Sequence, residues 1–319
     1  MIPKAELHCH LEGSIPPELA RQLAARNGLE LPANLFGPDG HYIWRDFLSF
    51  LDAYDRVCGV LRKAQDFGDV LYSYLQRTAA EGGIYVEMFC SPERPKALGI
   101  TYADWVGALA DAIDRARRDF GIECRLIAIC IRHLGPDRAL ALAQQVIAEP
   151  HPYVVALGMG GDEAKFTPAD FLPAYRLAHE NGLGCTVHAG EVVGPESVWA
   201  AIRDLPVTRI GHGVRSIEDA ALVEELARRG IALEVCPGSN VALGLYPNRA
   251  AHPLPRLIAA GVRVTLGSDD PPFFHTTLGT EYDEAGLGEQ VLRTITRTAI
   301  ETSFADDATK AKLLKGVAA

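Results

Sequence analysis

Short apolar segments alternate with longer amphipathic segments along almost the whole of this 319-residue chain. Eight of the apolar segments are rich in Val, Ile, Leu or Cys and are bounded by Gly, Pro, Asn or Asp, as buried strands often are. Their alternation with helical patterns predicts an α/β fold, a single (β/α)8 barrel of the TIM type. The alternative is an open doubly wound sheet, but no GxGxxG motif follows the first strand. The predicted strands are Ala5–His10, Tyr85–Ser91, Cys124–Ile131, Val154–Gly160, Gly184–His188, Arg209–His212, Ala232–Cys236 and Arg263–Ser268.

The segment between the first two predicted strands is longer than the others. It contains two helical patterns, Tyr42–Cys58 and Ala64–Glu81, in addition to the one that begins at Pro17. In a barrel such a connection emerges at the C-terminal face, so we expect a lid-like helical insertion at about residues 35–80. No linker or repeat interrupts the chain, which predicts one domain over residues 1–319. The other predicted helices are Pro17–Asn27, Tyr102–Phe120, Asp137–Ala148, Pro168–Asn181, Glu196–Leu205, Glu218–Arg229 and Pro253–Ala260.

Charge and composition exclude several classes of partner. The chain has 41 acidic and 31 basic side chains, a formal net charge of −10, and no Lys/Arg cluster of the kind that binds nucleic acid. No apolar segment approaches the roughly 18 residues that a membrane span requires. The N-terminal residues lack a signal-peptide pattern, and the seven cysteines are scattered without a CxxC pair. We therefore expect reduced thiols and a cytoplasmic protein that binds neither nucleic acid nor membranes.

Polar residues close several of the predicted strands, where a buried core would not place them. His8 and His10 end the first strand, and their i, i+2 spacing directs both imidazoles to one face. His188, His212 and Asp269 end or follow the fifth, sixth and eighth strands. An isolated histidine at a strand end is more often structural, but the carboxyl ends of all barrel strands meet at one face. Histidine and carboxylate side chains gathered there suit a borderline metal such as Zn²⁺.

Six short stretches of the chain, taken together and in this order, resemble the adenosine deaminase family of the amidohydrolase superfamily. Each stretch alone is a weak signal, whereas all six in the family's order are a strong one. The resemblance covers the chain from residue 3 to about residue 282. The stretches are Pro3–Ser14 (PKAELHCHLEGS), Gly161–Glu163 (GDE), Val187–Glu191 (VHAGE), Ile210–Gly213 (IGHG), Glu234–Pro237 (EVCP) and Ser268–Pro271 (SDDP).

The resemblance implies a hydrolase that removes the 6-amino group of a purine with the help of one Zn²⁺ ion. By position, His8, His10, His188 and Asp269 would ligate the ion, which turns water into a nucleophile toward purine C6. Two-metal amidohydrolases typically carry a carboxylated lysine at the fourth strand, and none stands there. Zinc deaminases of nucleic acid combine H-x-E with P-C-x-x-C, and the second motif is absent from this chain.

The same resemblance implies catalytic and substrate-binding residues. Glu191 would protonate purine N1 and so make the ring electrophilic. His212 and Asp270 would orient and deprotonate the attacking water. The backbone N–H of Gly161 would bind purine N3, and Glu12 together with Asp270 would complete the substrate contacts.

The substrate is the least determined part of the prediction. Glu12 stands where the nucleoside deaminases usually carry an Asp that contacts ribose, whereas the GDE and IGHG stretches look more like nucleoside enzymes than adenine deaminases. We therefore expect adenosine and 2′-deoxyadenosine first, with adenine and 6-aminodeoxyfutalosine as alternatives. Two further alternatives are an amidohydrolase of cyclic amides or pterins and a non-catalytic purine-binding barrel. Glu191 opposes the first, because protonation of a ring nitrogen suits an aromatic amidine. The second normally lacks a ligand or the acid, and neither is missing here.

Overall fold

The computed structural model describes residues 2–318, apart from the side chains of Phe47, Leu48 and Ala318. Every predicted strand is present, and the ends differ from the prediction by at most two residues. The strands are β1 (Lys4–His10), β2 (Gly83–Cys90), β3 (Glu123–Ile131), β4 (Val154–Gly160), β5 (Gly184–Ala189), β6 (Arg209–His212), β7 (Ala232–Val235) and β8 (Arg263–Leu266).

The eight strands form one parallel sheet in chain order that closes on itself. Closure occurs just beyond β8, where Asp269 forms a parallel bridge with Cys9 on β1. The N–H of His10 donates to the Asp269 carbonyl at 2.9 Å, and the N–H of Asp269 donates to the His8 carbonyl at 3.1 Å. The predicted (β/α)8 barrel is confirmed, and its closing contact joins two segments that carry predicted site residues.

Helices connect the strands on the outside of the barrel. Each of the nine predicted helical patterns contains a helix, whereas α4, α10 and α12–α15 were not predicted. Among residues 2–318, no helix has the length and apolar character needed to cross a bilayer. The helices are α1 (Pro17–Arg26), α2 (Phe47–Cys58), α3 (Ala64–Ala80), α4 (Glu93–Ala97), α5 (Tyr102–Phe120), α6 (Pro136–Ala148), α7 (Leu172–Glu180), α8 (Pro195–Asp204), α9 (Ala220–Arg229), α10 (Pro237–Ala242), α11 (Leu254–Ala259), α12 (Pro271–Phe274), α13 (Leu278–Asp283), α14 (Glu289–Thr302) and α15 (Asp307–Ala318).

The long connection from β1 to β2 contains α1, α2 and α3 and packs at the end of the barrel where β8 finishes. The indole N–H of Trp44 donates to the Phe273 carbonyl at 2.9 Å. The ring of Phe50 lies 5.6 Å from the ring of Phe273 and 5.2 Å from that of Phe274, between ring centres. The insertion therefore contacts α12, immediately after Asp270, while its function as a lid stays a prediction.

Helix α2 begins five residues later than the pattern predicted, at Phe47 rather than Tyr42. Asp46 caps the helix, since its carboxylate accepts the backbone N–H of Ser49 at 2.8 Å. The hydroxyl of Ser49 accepts the N–H of Asp46 at 3.0 Å in return. This reciprocal cap starts the helix there, and the preceding segment instead forms a bridge between Phe36 and Tyr42.

A cluster of three fully buried charged side chains lies inside the barrel. Arg209, at the start of β6, pairs through Nη1 with Glu87 on β2 and through Nε with Glu234 on β7, each at 2.7 Å. Both carboxylates offset the charge of the guanidinium, and Glu234 also accepts a hydrogen bond from its Nε, because a buried charge is costly without a partner. The sequence patterns did not predict this cluster, because its members lie on three separate strands.

A small, pH-dependent contribution to stability is expected from Asp306, which precedes α15. Its carboxylate accepts the hydroxyl of Thr309 at 2.7 Å and the N–H of Thr309 at 2.9 Å, and it pairs with Arg125 at 3.1 Å. These contacts hold the pKa of Asp306 below its usual value. A lowered carboxyl pKa stabilises the fold above the unfolded pKa of about 4, and the effect is lost as pH falls below it.

Replacing Asp306 with Ala is therefore expected to lower the free energy of unfolding by about 1 kcal/mol at pH 7. The loss should be smaller at pH 3, as measured by urea unfolding at both pH values. Asp307→Ala, at the exposed neighbouring position, is the control and should cost less than about 0.5 kcal/mol. An equal loss at both pH values for Asp306→Ala would contradict the role of the charge.

Candidate active site

His8 is fully buried on β1 and faces the ends of the neighbouring strands. Its Nδ1 lies 2.8 Å from Oε2 of Glu234, which fixes the orientation of the ring. Its Nε2 is buried and has no hydrogen-bond partner among the described residues. Histidine ligands of metals commonly bond a carboxylate through their second ring nitrogen. His8 therefore fits a metal ligand that binds through Nε2.

His10, His188 and Asp269 bring their polar atoms to the same place. His10 Nε2 lies 3.2 Å from His188 Nε2 and 3.3 Å from Asp269 Oδ1. Zinc bonds of about 2.0–2.1 Å in a tetrahedral site place neighbouring ligand atoms about 3.3–3.4 Å apart. Burial lowers the pKa of His188, which favours the neutral imidazole that a metal needs. The structure thus brings all four predicted ligands together.

His212 lies at the edge of this cluster. Donor atoms of His8, His188, His212 and Asp269 all fall within 4.8 Å of one another, so His212 is also near enough to be considered as a ligand. However, His212 Nε2 is 3.9 Å from Asp269 Oδ2 and 3.6 Å from Oε1 of Glu191, farther than His10 is from its neighbours. These distances favour His10 over His212 as the fourth ligand of a metal.

The adjacent carboxylates of Asp269 and Asp270 have different surroundings. The hydroxyl of Ser239 donates to Asp269 Oδ2 at 2.6 Å, while Asp269 Oδ1 faces the imidazoles. Asp270 Oδ1 is buried and has no hydrogen-bond partner among the described residues. Burial, together with the nearby charge of Asp269, raises the pKa of Asp270 to about 7. A Cβ on Gly13 would lie only 1.6 Å from Asp270 Oδ1, so glycine is needed there to leave room for this carboxylate.

Glu191 follows β5 by two residues, and its side chain is 17% exposed. Burial raises the pKa of Glu191 well above its usual value, and the charge of Asp269 raises it further. A carboxyl group in such a setting keeps its proton near neutral pH and can donate it. Its contact with His212, at 3.6 Å, places the proton beside the imidazole cluster.

The two predicted substrate contacts from other loops lie at the same end of the barrel. Glu12 follows β1 and is 6% exposed. Burial raises the pKa of Glu12 to about 7. Gly161 follows β4 with a φ of +97°, and a Cβ there would lie 3.1 Å from Nδ1 of His133. Only glycine adopts this conformation readily.

The supporting residues of the site were not assigned by the sequence. Glu234 orients His8, Ser239 binds Asp269, and the amide of Asn240 lies 3.4 Å from His212 Nδ1. Glu234 begins the matched EVCP stretch, and a charged residue inside a buried strand was a signal that could have identified it. Ser239 and Asn240 lie in α10, which was not predicted.

The chain is similar to known proteins over its whole length. The family model described as adenosine deaminase matches residues 3–319. Two curated proteins named adenine deaminase, from Rhizobium leguminosarum bv. trifolii and Agrobacterium fabrum, are each 44% identical to it. The first match spans 317 residues, 98% of both chains, and the second spans 315 residues, 98% of this chain and 96% of the relative.

Solved structures agree with this likeness. The adenine deaminase of Arthrobacter aurescens has a TM-score of 0.91 and 34% identity, over 100% of this chain and 98% of that one. An amidohydrolase from Burkholderia ambifaria with bound Zn has a TM-score of 0.88 and 27% identity, over 99% and 90% of the two chains. Together with the family model that matches residues 3–319, these similarities show that the chain belongs to the adenosine deaminase family. It is a hydrolytic deaminase of the amidohydrolase superfamily.

Proposed function

We propose that the chain hydrolyses free adenine to hypoxanthine and ammonia with one Zn²⁺ ion. The observation that carries the reaction is the position of Glu191, whose partly buried carboxyl lies beside the His/Asp cluster. The free base is supported by the curated relatives, which are named adenine deaminase at 44% identity over nearly the full length. Adenosine, which the sequence predicts first, is not confirmed, and these relatives fit the alternative substrate, adenine, better.

The metal site is proposed to consist of His8, His10, His188 and Asp269. Three imidazoles and one carboxylate suit Zn²⁺, and the B. ambifaria amidohydrolase holds Zn. When bound, the ion acts as a Lewis acid that makes water nucleophilic at neutral pH. Glu234 would keep His8 in the tautomer that presents Nε2.

The catalytic steps are assigned to this chain's own side chains. Protonated Glu191 donates to ring N1, which draws electrons from C6. His212 and Asp270 orient the water and accept its proton, so that its oxygen bonds to C6. The C6–N6 bond then breaks, and the amino group leaves as ammonia after receiving a proton. The N–H of Gly161 would bind N3 of the ring.

The substrate is tested by measuring ammonia release and purine products with adenine, adenosine, 2′-deoxyadenosine and 6-aminodeoxyfutalosine. We expect kcat/KM to be highest for adenine, with hypoxanthine and ammonia formed in equal amounts. Turnover of adenosine with no turnover of adenine would contradict the free-base assignment but leave the reaction class intact. The alternatives of a cyclic-amide or pterin hydrolase and of a non-catalytic barrel receive no support from the relatives.

Glu12 is expected to contribute to the preference of the protein for free adenine over adenosine. Its buried carboxyl has a pKa of about 7 and can form a hydrogen bond with an N–H in the five-membered ring of adenine. A nucleoside lacks this N–H because its N9 carries ribose. Glu12→Asp shortens the side chain by one methylene and is expected to lower kcat/KM for adenine about tenfold to a hundredfold. The ratio of adenosine to adenine turnover should rise.

Glu18→Asp, at an exposed position on α1, is the matched control. It should leave kcat/KM unchanged for both adenine and adenosine. If Glu12→Asp kept the wild-type kcat/KM for adenine, Glu12 would have no part in recognising the base.

A further inference from the structure

Glu163 makes an unusually complete set of hydrogen bonds to one short segment. It lies in the loop after β4 and is 8% exposed. Oε1 accepts the N–H of Gly190 at 2.5 Å and the hydroxyl of Ser197 at 2.6 Å. Oε2 accepts three consecutive N–H groups, those of Glu191, Val192 and Val193, at 3.2, 2.8 and 2.9 Å. All five donors lie between the end of β5 and the first turn of α8.

The backbone N–H groups of residues 190–193, which Glu163 binds, create a site that favours an anion. Several N–H groups that point to one place form a concave site of positive potential, which a carboxylate stabilises. The turn depends on Gly190, whose φ is +69° and where a Cβ would lie 2.4 Å from Val198 Cγ2. The geometry of this turn determines where the Glu191 side chain leaves the backbone.

A second buried charge holds the other side of the same turn. Arg132, which follows β3, is 1% exposed, and its Nη2 donates to the carbonyl of His188 at 2.5 Å. The carbonyl of His188, before the turn, is therefore bound by the cation of Arg132. The N–H groups within the turn are bound by the anion of Glu163. His188 and Glu191, the proposed metal ligand and the proposed acid, are separated by only two residues of this segment.

We propose that Glu163, supported by Arg132, is a positioning residue that fixes the Glu191 carboxyl relative to the metal ligands. The proposal rests on the proposed function, in which Glu191 is the acid. Both carboxylate oxygens of Glu163 are occupied by donors of the protein, so Glu163 acts through the backbone of Glu191 and not on the substrate. A displacement of about 1 Å in a catalytic group can cost about a hundredfold in rate.

The test is Glu163→Gln in the zinc-loaded protein. The amide keeps the shape of the side chain, but its NH₂ group faces N–H or O–H donors and cannot accept their hydrogen bonds. We expect kcat for adenine to fall about a hundredfold, while KM, zinc content and the dissociation constant of hypoxanthine stay within about twofold. Asp170→Asn alters an exposed carboxylate of the same loop that accepts the N–H of Thr167, and it should leave kcat unchanged.

Measuring Glu191→Gln in parallel separates the two proposals. If Glu191→Gln is inactive and Glu163→Gln keeps wild-type kcat, the positioning role is wrong and the proposed function stands. If both variants keep wild-type kcat, the acid assignment is wrong as well. Loss of zinc or of hypoxanthine binding in Glu163→Gln would show a general structural role and would also overturn the positioning role.

If Glu163→Gln does not fold, the milder variant Ser197→Ala tests the positioning role of Glu163. Ser197→Ala removes one of the five donors and leaves the N–H groups in place. We expect kcat to fall about threefold with KM unchanged, in line with the loss of one hydrogen bond to a charged group that acts indirectly. A wild-type kcat in Ser197→Ala would overturn the proposal.

Discussion

Replacing Glu191 with Gln is expected to lower kcat for adenine about a thousandfold, within the range by which general acid catalysis accelerates reactions. Glutamine matches the shape of the side chain but has no acidic proton to give to the ring. In the protein, burial raises the pKa of Glu191, so the carboxyl keeps the proton that the reaction requires. Because Glu191 is not a proposed ligand, zinc content and KM should change little.

The measurement is steady-state release of ammonia from adenine, with metal content determined on the same samples. Glu196→Gln is the matched control, since Glu196 is exposed at the start of α8 and should tolerate the change. Wild-type kcat in Glu191→Gln would contradict the acid assignment. It would also revive the alternative of a hydrolase for cyclic amides, which needs no protonated ring nitrogen.

The largest expected effect on stability comes from Arg209. Its guanidinium is fully buried and pairs at 2.7 Å with both Glu87 and Glu234. Arg209→Met would leave two carboxylates buried without their cation, and we expect it to lower the free energy of unfolding by about 3–5 kcal/mol. Urea unfolding of the metal-free protein measures this directly.

The same substitution should weaken zinc binding. Burial alone would raise the pKa of Glu234, but Arg209 and His8 outweigh it and hold that pKa below its usual value. Without Arg209, the carboxylate that orients His8 loses its main support. We expect about a tenfold to hundredfold loss of zinc affinity, as is usual when a partner behind a histidine ligand is lost.

Arg203→Met is the control for Arg209, because Arg203 is exposed and pairs only with its neighbour Asp204 among the described residues. It should change the free energy of unfolding by less than about 0.5 kcal/mol. If Arg209→Met cost less than about 1 kcal/mol, the buried pairs would not have the role assigned to them.

The strands were predictable because a parallel barrel buries both faces of each strand. Segments such as Cys124–Ile131 and Val154–Gly160 are therefore almost continuously apolar and end at glycine or polar residues. The helices α4, α10, α12 and α13 span only four to six residues each, too few to display a 3.6-residue period. Helices α14 and α15 are long enough to display this period, but the sequence patterns predicted no helix beyond Ala260.

The proposed ligands could be placed from the sequence because strand ends converge in a barrel. His8, His188 and Asp269 each stand at or just after such an end, and the structure brings their side chains together. Contacts between distant segments cannot be recognised from the spacing of residues along the chain. The hydrogen bonds between Glu163 and the turn after β5 were therefore found only in the structure. The space that Gly13 leaves for Asp270 is another contact of this kind.

We propose that this His/Asp cluster binds one zinc ion and that the protein deaminates adenine only when the ion is bound. The most direct test is to remove the metal with a chelator, add Zn²⁺ back in steps, and measure hypoxanthine and ammonia formed from adenine at each step. We predict negligible activity without metal, a linear rise, and a break at one Zn²⁺ per chain, with the two products in equal amounts. Full activity in the metal-free protein, or no hypoxanthine from adenine at any zinc level, would contradict the claim.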